Sequence, residues 1–472
     1  MPRGASIRKV PLVLAAFAAL AQRGEAQAMS RDDSRSRCVN DSTRVPLVAE
    51  RRETVDTIAP GITYRCLLIP DGPWVVHVAS IDLRGGRYAL DGVRAMDRMT
   101  GREHVSAMAE RLTARGDAPL VAINADFFDL LTGEIENNHV VRGAWVKGAL
   151  VTDSPHDEFD NAHTQFAVDA QGGVHIARFA LRGTMQLAGV TRPLVGINYR
   201  PPRTPGLVLY TPWYGSRTLR DTLSTATARA ARDPDATAPA AVTRDSQAAP
   251  PRPAPTTAQL RADSARAQSL RATRDAIELQ LTEIGRRGDT ILFRPRAHRT
   301  RRGGGAAIPS GGAVVSATGD EAIAFVQRLA RRGQPLRVVL RLGDPPFTPT
   351  TVVGGWPRVL QDGVNVGRRA DSLEGTFPRF SAARHPRSAI ALSSDSTQLL
   401  LVVVDGRRAW SVGMTLTELG DLLSSLGARD GMNLDGGGSS ALWVRGALVN
   451  FPSDPNGERA VGNALVVRPR RP

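Results

Sequence analysis

Residues 398–444 read QLLLVVVDGRRAWSVGMTLTELGDLLSSLGARDGMNLDGGGSSALWV. Gln398 to Val404 is an apolar run of strand length that stops at Asp405-Gly406-Arg407, a turn composition. Leu416, Leu419, Leu422, Leu423 and Leu426 then recur at helical spacing and predict an amphipathic helix over 416–426. Thr415 stands at its N-cap with Glu418 three residues on, the register of a capping box, and Gly427 supplies the C-cap. The chain then runs through Met432-Asn433-Leu434-Asp435 into Gly436-Gly437-Gly438-Ser439-Ser440. Ala441 to Val444 and Leu448 to Asn450 read as a hairpin turned at Arg445-Gly446. Frequent short strands with few helices between them predict an α+β fold: a mixed β-sheet core with packed helices and a long low-complexity insertion.

The same reading extends upstream. Thr63 to Ile81 predicts strands split by the Pro70-Asp71-Gly72 turn, and further strands fall at 119–123, 144–150, 164–168, 207–210, 313–315 and 336–340. Helices are predicted over 104–114 and 322–330. Residues 221–275 are dominated by Ala, Arg, Thr, Asp and Pro, with too few large apolar side chains to offset the entropy of ordering. They read as a disordered insertion with one helix over about 257–282, followed by a second low-complexity piece around Gly303-Gly304-Gly305. The N-terminus carries Arg3, Arg8 and Lys9, an apolar run from Val10 to Ala21, and Ala26-Gln27-Ala28. Those are the three regions of a secretory signal peptide, with cleavage expected after Ala28 and the product periplasmic or extracellular. The expected division is 1–28 signal peptide, 29–220 and 306–472 as two parts of one domain, and 221–305 as a largely disordered insertion.

The 472 residues leave ample material for a core. No later segment offers eighteen uninterrupted apolar residues, so no transmembrane helix is expected in the mature chain. The formal charge is +15, and seven arginines face one acid, Asp289, between Arg286 and Arg302. No recognition-helix, zinc-finger or RNP-type pattern accompanies them, so the reading is a basic exposed face and no specific nucleic acid. The two cysteines, Cys38 and Cys66, fit one disulfide in an oxidising compartment. Asp157, Glu158 and Asp160 follow His156 without the ordered spacing of a calcium loop, so no metal ligand and no cofactor is assigned.

Three consecutive glycines beside Asp435 each give up side-chain packing and cost chain entropy, so the backbone there needs positive φ or close approach. No lysine follows at P-loop spacing and no dinucleotide fingerprint is present. Two readings stand at this level: a tight hairpin turn, or a loop whose amides face an anion or a sugar.

Asn433 to Ser440 resembles the signature of the phosphodiester glycosidase family. Further blocks resemble that family in order: Asn124-Ala125-Asp126-Phe127-Phe128, Gly354 to Leu360, His385-Pro386-Arg387-Ser388-Ala389, Val404 to Arg407, Gly413-Met414-Thr415, and Asn450 to Leu465. Ala125 and Asp126 stand where the family usually has paired glycines, and Ser388 where threonine is common. The resemblance implies an exported hydrolase that cleaves the glycosidic bond of a phosphodiester-linked carbohydrate. It makes Asp435 the first catalytic carboxylate, with Asp405 and Glu458 as competing partners. Arg387 and Arg407 become the phosphate candidates, since a guanidinium offers a planar donor fork. Arg459 is read either as a further phosphate ligand or as the partner of Glu458, and Asp405 either as an acid or as the holder of Arg407. Asn124, Asn433 and Asn463 fit sugar hydroxyls or backbone caps, and His385 a proton shuttle or a rigid turn. Gly436, Gly437, Gly438 and Ser439 form the binding turn, while Phe127, Phe128 and Trp356 are read as core. Two other functions use the same residues: a catalytically silent carbohydrate-binding envelope protein, and a phosphodiesterase that cuts at phosphorus.

Overall fold

The computed structural model describes residues 51–152, 161–199, 205–220 and 275–470. The signal-peptide reading, Cys38, the acidic turn at 157–160 and most of the insertion lie outside them. The fold is α+β. One eight-stranded sheet runs Arg52–Ala59, Ile62–Ile69, Trp74–Asp82, Gln398–Val404, Arg387–Ser393, Ala428–Asn433, Arg358–Gln361 and Val364–Asn365, every neighbouring pair antiparallel. A five-stranded sheet runs Ala447–Leu448, Leu442–Val444, Val121–Asn124, Asn463–Pro469 and Tyr88–Arg94. Both sheets interleave strands from before and after the insertion.

The apolar run at 398–404 is explained by what covers its two faces. Successive strand side chains point to opposite sides. Leu399, Leu401 and Val403 pack toward Ile123, Leu442 and Leu465 of the five-stranded sheet. Leu400, Val402 and Val404 pack toward Leu416, Leu419 and Leu423 of the helix Leu416–Ser425. Its capping box is formed, with Glu418 N donating to Thr415 Oγ1 at 3.1 Å and Thr415 N to Glu418 Oε2 at 2.9 Å. On the outer face of the five-stranded sheet the helix Val105–Ala114 buries Val105, Met108, Ala109 and Leu112.

A third, thirteen-stranded sheet gathers strands between His139 and Gly354, covered by the helix Asp320–Arg332. Here the sequence reading is corrected. Residues 277–305 are not part of a disordered insertion, and from Ile277 on the span expected as helix over 257–282 is strand. Ile277–Arg287 and Thr290–Pro295 form an antiparallel hairpin inside this sheet. Ile277, Leu279 and Leu281 are buried in its core, while all seven arginines between 286 and 302 are exposed. Among the described residues no helix is long and apolar enough to cross a membrane. Cys66 is buried in Ile62–Ile69 and disulfide-bonded.

Candidate functional site

Three strand ends converge where the sheets meet. Val121–Asn124 delivers Ala125-Asp126, Ala428–Asn433 delivers Leu434-Asp435, and Pro349–Gly354 delivers Gly355-Trp356. Backbone bonds stitch them together: Asp435 N to Ala125 O at 2.9 Å, Leu434 N to Ser388 O at 2.8 Å, and Trp356 N to Asn433 O at 2.9 Å. The glycine turn is crowded from below and on both sides. A Cβ on Gly436 would lie 2.7 Å from Pro386 O, and one on Gly438 would lie 2.1 Å from Asp454 Oδ1. Gly437 has φ +61°, and a Cβ there would approach Arg407 Nη2 to 3.0 Å. Close approach, not hairpin geometry alone, therefore selects three glycines.

Asp435 is half-buried at the head of this turn. Burial pushes its carboxyl up to about 6; hydrogen bonds from Ser439 and the Gly436 amide and the charge of Arg459 hold it down, and the charge of Asp126 adds to the rise. Arg459 is paired in bidentate fashion with Asp454, Nε to Oδ2 at 2.7 Å and Nη2 to Oδ1 at 3.0 Å, and reaches Ser439 Oγ at 3.4 Å. Arg407 is exposed, touches Ser453 Oγ at 3.4 Å, and has no carboxylate partner among the described residues. Arg459 thus acts on the Asp435 carboxylate, while Arg407 meets the glycine turn two residues further on, at Gly437. His385 is half-buried close by, and burial, then the Arg387 charge, lowers its pKa.

Several expected site residues are turned away. Arg387 is fully buried and spends its donors on carbonyls, Nε on Met414 O at 2.8 Å and Nη2 on Phe380 O at 2.7 Å and Ala383 O at 3.1 Å. Its guanidinium lies 4.9 Å over the Phe380 ring, and burial lowers its pKa to about 9. It clamps the chain and does not present a fork to phosphate. Asp405 is also buried; it meets His77 Nε2 at 3.0 Å and accepts from Phe451 N at 3.0 Å, while His77 Nδ1 meets Tyr64 Oη at 2.8 Å. It holds the 451–454 loop against the sheet and does not pair with Arg407. Glu458 accepts from Ser106 N at 3.0 Å and from Ser106 Oγ at the first turn of Val105–Ala114, so it caps that helix and is not the partner of Arg459.

The three asparagines are buried and bonded to protein groups, Asn433 through its Nδ2 alone. Asn124 donates to Asp435 O at 2.6 Å and accepts from Ser388 Oγ at 2.7 Å and Ala441 N at 3.1 Å. Asn433 donates to Trp356 O at 2.6 Å, and Asn463 accepts from Asp126 N at 2.9 Å. They fix the loops that carry Asp126, Trp356 and Asp435. Phe128 and Trp356 are core, while Phe127 is half-buried with its edge on Trp356 at 5.6 Å. Sequence reasoning missed Asp126 and Asp454. The signal for Asp126 was present as an acid in a block where the family usually has glycine. Among the described residues no group of three or more His, Cys, Asp or Glu is placed to hold a metal ion.

This α+β architecture and the glycine-turn site define a class that comparison with known proteins narrows. The family model described as phosphodiester glycosidase matches residues 289–468. An uncharacterized prophage-derived protein of Bacillus subtilis (strain 168) is 43% identical over 84 residues, 18% of this chain and 13% of that protein. N-acetylglucosamine-1-phosphodiester alpha-N-acetylglucosaminidase of Mus musculus is 32% identical over 80 residues, 17% of this chain and 15% of the enzyme. The matched stretches are thus small parts of those relatives. A hypothetical protein from Synechocystis has a similar structure, with TM-score 0.60, 19% identity, and coverage of 89% of this chain and 64% of the other. A protein from Burkholderia pseudomallei K96243 gives TM-score 0.54 at 22% identity, covering 84% and 74%. At such identities the structural likeness speaks for the fold alone. The chain is distantly homologous to the phosphodiester glycosidase family.

Proposed function

We propose that this chain is an exported glycoside hydrolase that cleaves the sugar–oxygen bond of a sugar-1-phosphodiester, with Asp435 as its catalytic carboxylate. The observation that carries the reading is Asp435 itself, half-buried, pushed up to about 6 under the charge of Arg459, at the head of the glycine turn at 436–438 whose Gly437 faces Arg407. Hydrolysis adds the hydroxyl of water to the anomeric carbon, and the departing oxygen stays on phosphorus as a phosphate monoester. That leaving group is already a weak base, so the site needs little general-acid help. Its main tasks are stabilising positive charge at carbon, directing water, and holding the phosphate. Ionised Asp435 does the first two, and Arg407 is the free guanidinium for the third.

The sign of the pH dependence follows. A carboxylate acting as base or charge partner must be ionised, so turnover falls as pH drops through about 6. Asp435→Asn keeps the shape and removes the charge. Single-turnover sugar release from a panel of sugar-1-phosphodiesters should fall roughly 100-fold or more, with circular dichroism unchanged. Near-wild-type release from the folded variant rejects Asp435. Tight binding of the panel without release by the wild type favours a carbohydrate-binding protein instead.

A further inference from the structure

Asp405 and Glu458, the two carboxylates that compete with Asp435 in the sequence, anchor the two ends of one loop. At its start the buried Asp405 accepts from Phe451 N at 3.0 Å, and Trp410 meets the Phe451 ring in a T-shaped contact at 5.1 Å. At its end Glu458 accepts from Ser106 N at 3.0 Å. Between these anchors Asp454-Pro455-Asn456-Gly457 forms a β-turn, with Gly457 N donating to Asp454 O at 3.1 Å and Gly457 at φ +88°. The turn brings Arg459 back onto Asp454, which takes the Nε–Nη2 edge of its guanidinium at 2.7 and 3.0 Å. That pair lies on the glycine turn, because a Cβ on Gly438 would come within 2.5 Å of Arg459 Cζ. Nη1 is the edge left over, and it reaches Ser439 Oγ at 3.4 Å.

We propose that Asp454 is a positioning residue: it fixes the Arg459 guanidinium against the glycine turn, so that the Nη1 edge is presented at Ser439 in the turn that Asp435 heads. This rests on the reading of Asp435 as the catalytic carboxylate. A bidentate carboxylate fixes the plane of a guanidinium as well as its place, which a single contact on a long side chain does not. Ser439 in turn bonds the Asp435 carboxyl, and the Arg459 charge acts on it. The same loop touches Arg407 through Ser453 Oγ at 3.4 Å but offers it no carboxylate among the described residues. One guanidinium is therefore held for the protein's own carboxylate, and the other is left for substrate. The Asp454–Arg459 pair adds little to folding, since its side chains are 24% and 30% exposed and water screens them. A small displacement of a group at a reacting centre, by contrast, costs turnover steeply. Position and stability are thus separable by experiment.

The test reads position and turnover separately in the full chain. Arginine labelled with nitrogen-15 at Nε gives a cross-peak for Arg459, assigned by its loss in Arg459→Gln. In the wild type this peak should be resolved and protected from exchange with water. Asp454→Asn keeps the size and removes the charged fork, so the peak should merge with those of freely moving arginines while the melting temperature stays unchanged. A peak that ignores Asp454→Asn overturns the proposal. Sugar release from the sugar-1-phosphodiester panel then gives the split between kcat and KM. Asp454→Asn should lower kcat roughly tenfold or more with KM nearly unchanged, and should add nothing further in an Arg459→Gln background. Equal losses in both backgrounds show that Asp454 acts without Arg459, and they overturn the proposal too. If Asp454→Asn fails to fold, Asp454→Ala, which only removes atoms, is read in its place. A wild type that releases no sugar sinks the reading of Asp435, whereas the Arg459 peak still decides what Asp454 holds, so the two failures are told apart.

Discussion

At the residue scale, the two arginines that sequence treated alike are opposites. Arg407 is exposed and unpaired with any carboxylate among the described residues, so its fork is free for phosphate oxygens. Arg387 is a buried strut on three carbonyls. Arg407→Lys keeps the charge and loses the paired donors, so affinity for a sugar-1-phosphate should weaken roughly tenfold, about 1.4 kcal/mol, with the melting temperature unchanged. Arg387→Met strands buried carbonyls and should lower stability by about 2–4 kcal/mol in urea titration. Reversal of that pattern would return Arg387 to the binding surface. The spacing around His385-Pro386-Arg387 carried no sign of this difference, because burial comes from Phe380 and Met414, which only the fold brings over the guanidinium. The asparagines were ambiguous for the same reason: a side chain that can bind a sugar hydroxyl can equally bind a carbonyl.

At the element scale, legibility followed local signals. The helix Leu416–Ser425 was readable to within a residue because its cap, its leucine period and Gly427 agree. Thr415→Ala removes the side-chain acceptor for Glu418 N and should cost about 1 kcal/mol, leaving sugar release at saturation unchanged, since the leucine face that packs the helix on the sheet is untouched. An unchanged melting curve would show that the box is redundant with packing. The hairpin at 277–295 was missed although Ile277, Leu279 and Leu281 alternate, because an Ala- and Arg-rich run precedes it and suggested helix or disorder. Its outer face is arginine-rich because that face meets water.

At the scale of the whole molecule, the site exists only because distant segments are interleaved. Trp74–Asp82 pairs with Gln398–Val404, and Val121–Asn124 pairs with Leu442–Val444 and Asn463–Pro469. That arrangement sets Asp126 beside Asp435 and the glycine turn beside Arg407, a juxtaposition no single stretch of sequence contains. The central claim is that this assembly directs water to carbon and leaves the phosphate oxygen bonds intact. Hydrolysis of a sugar-1-phosphodiester in oxygen-18 water, followed by mass spectrometry of both products, tests it most directly. The expected result is label in the sugar and none in the phosphate monoester; label in the phosphate would contradict the account and assign the chemistry to phosphorus.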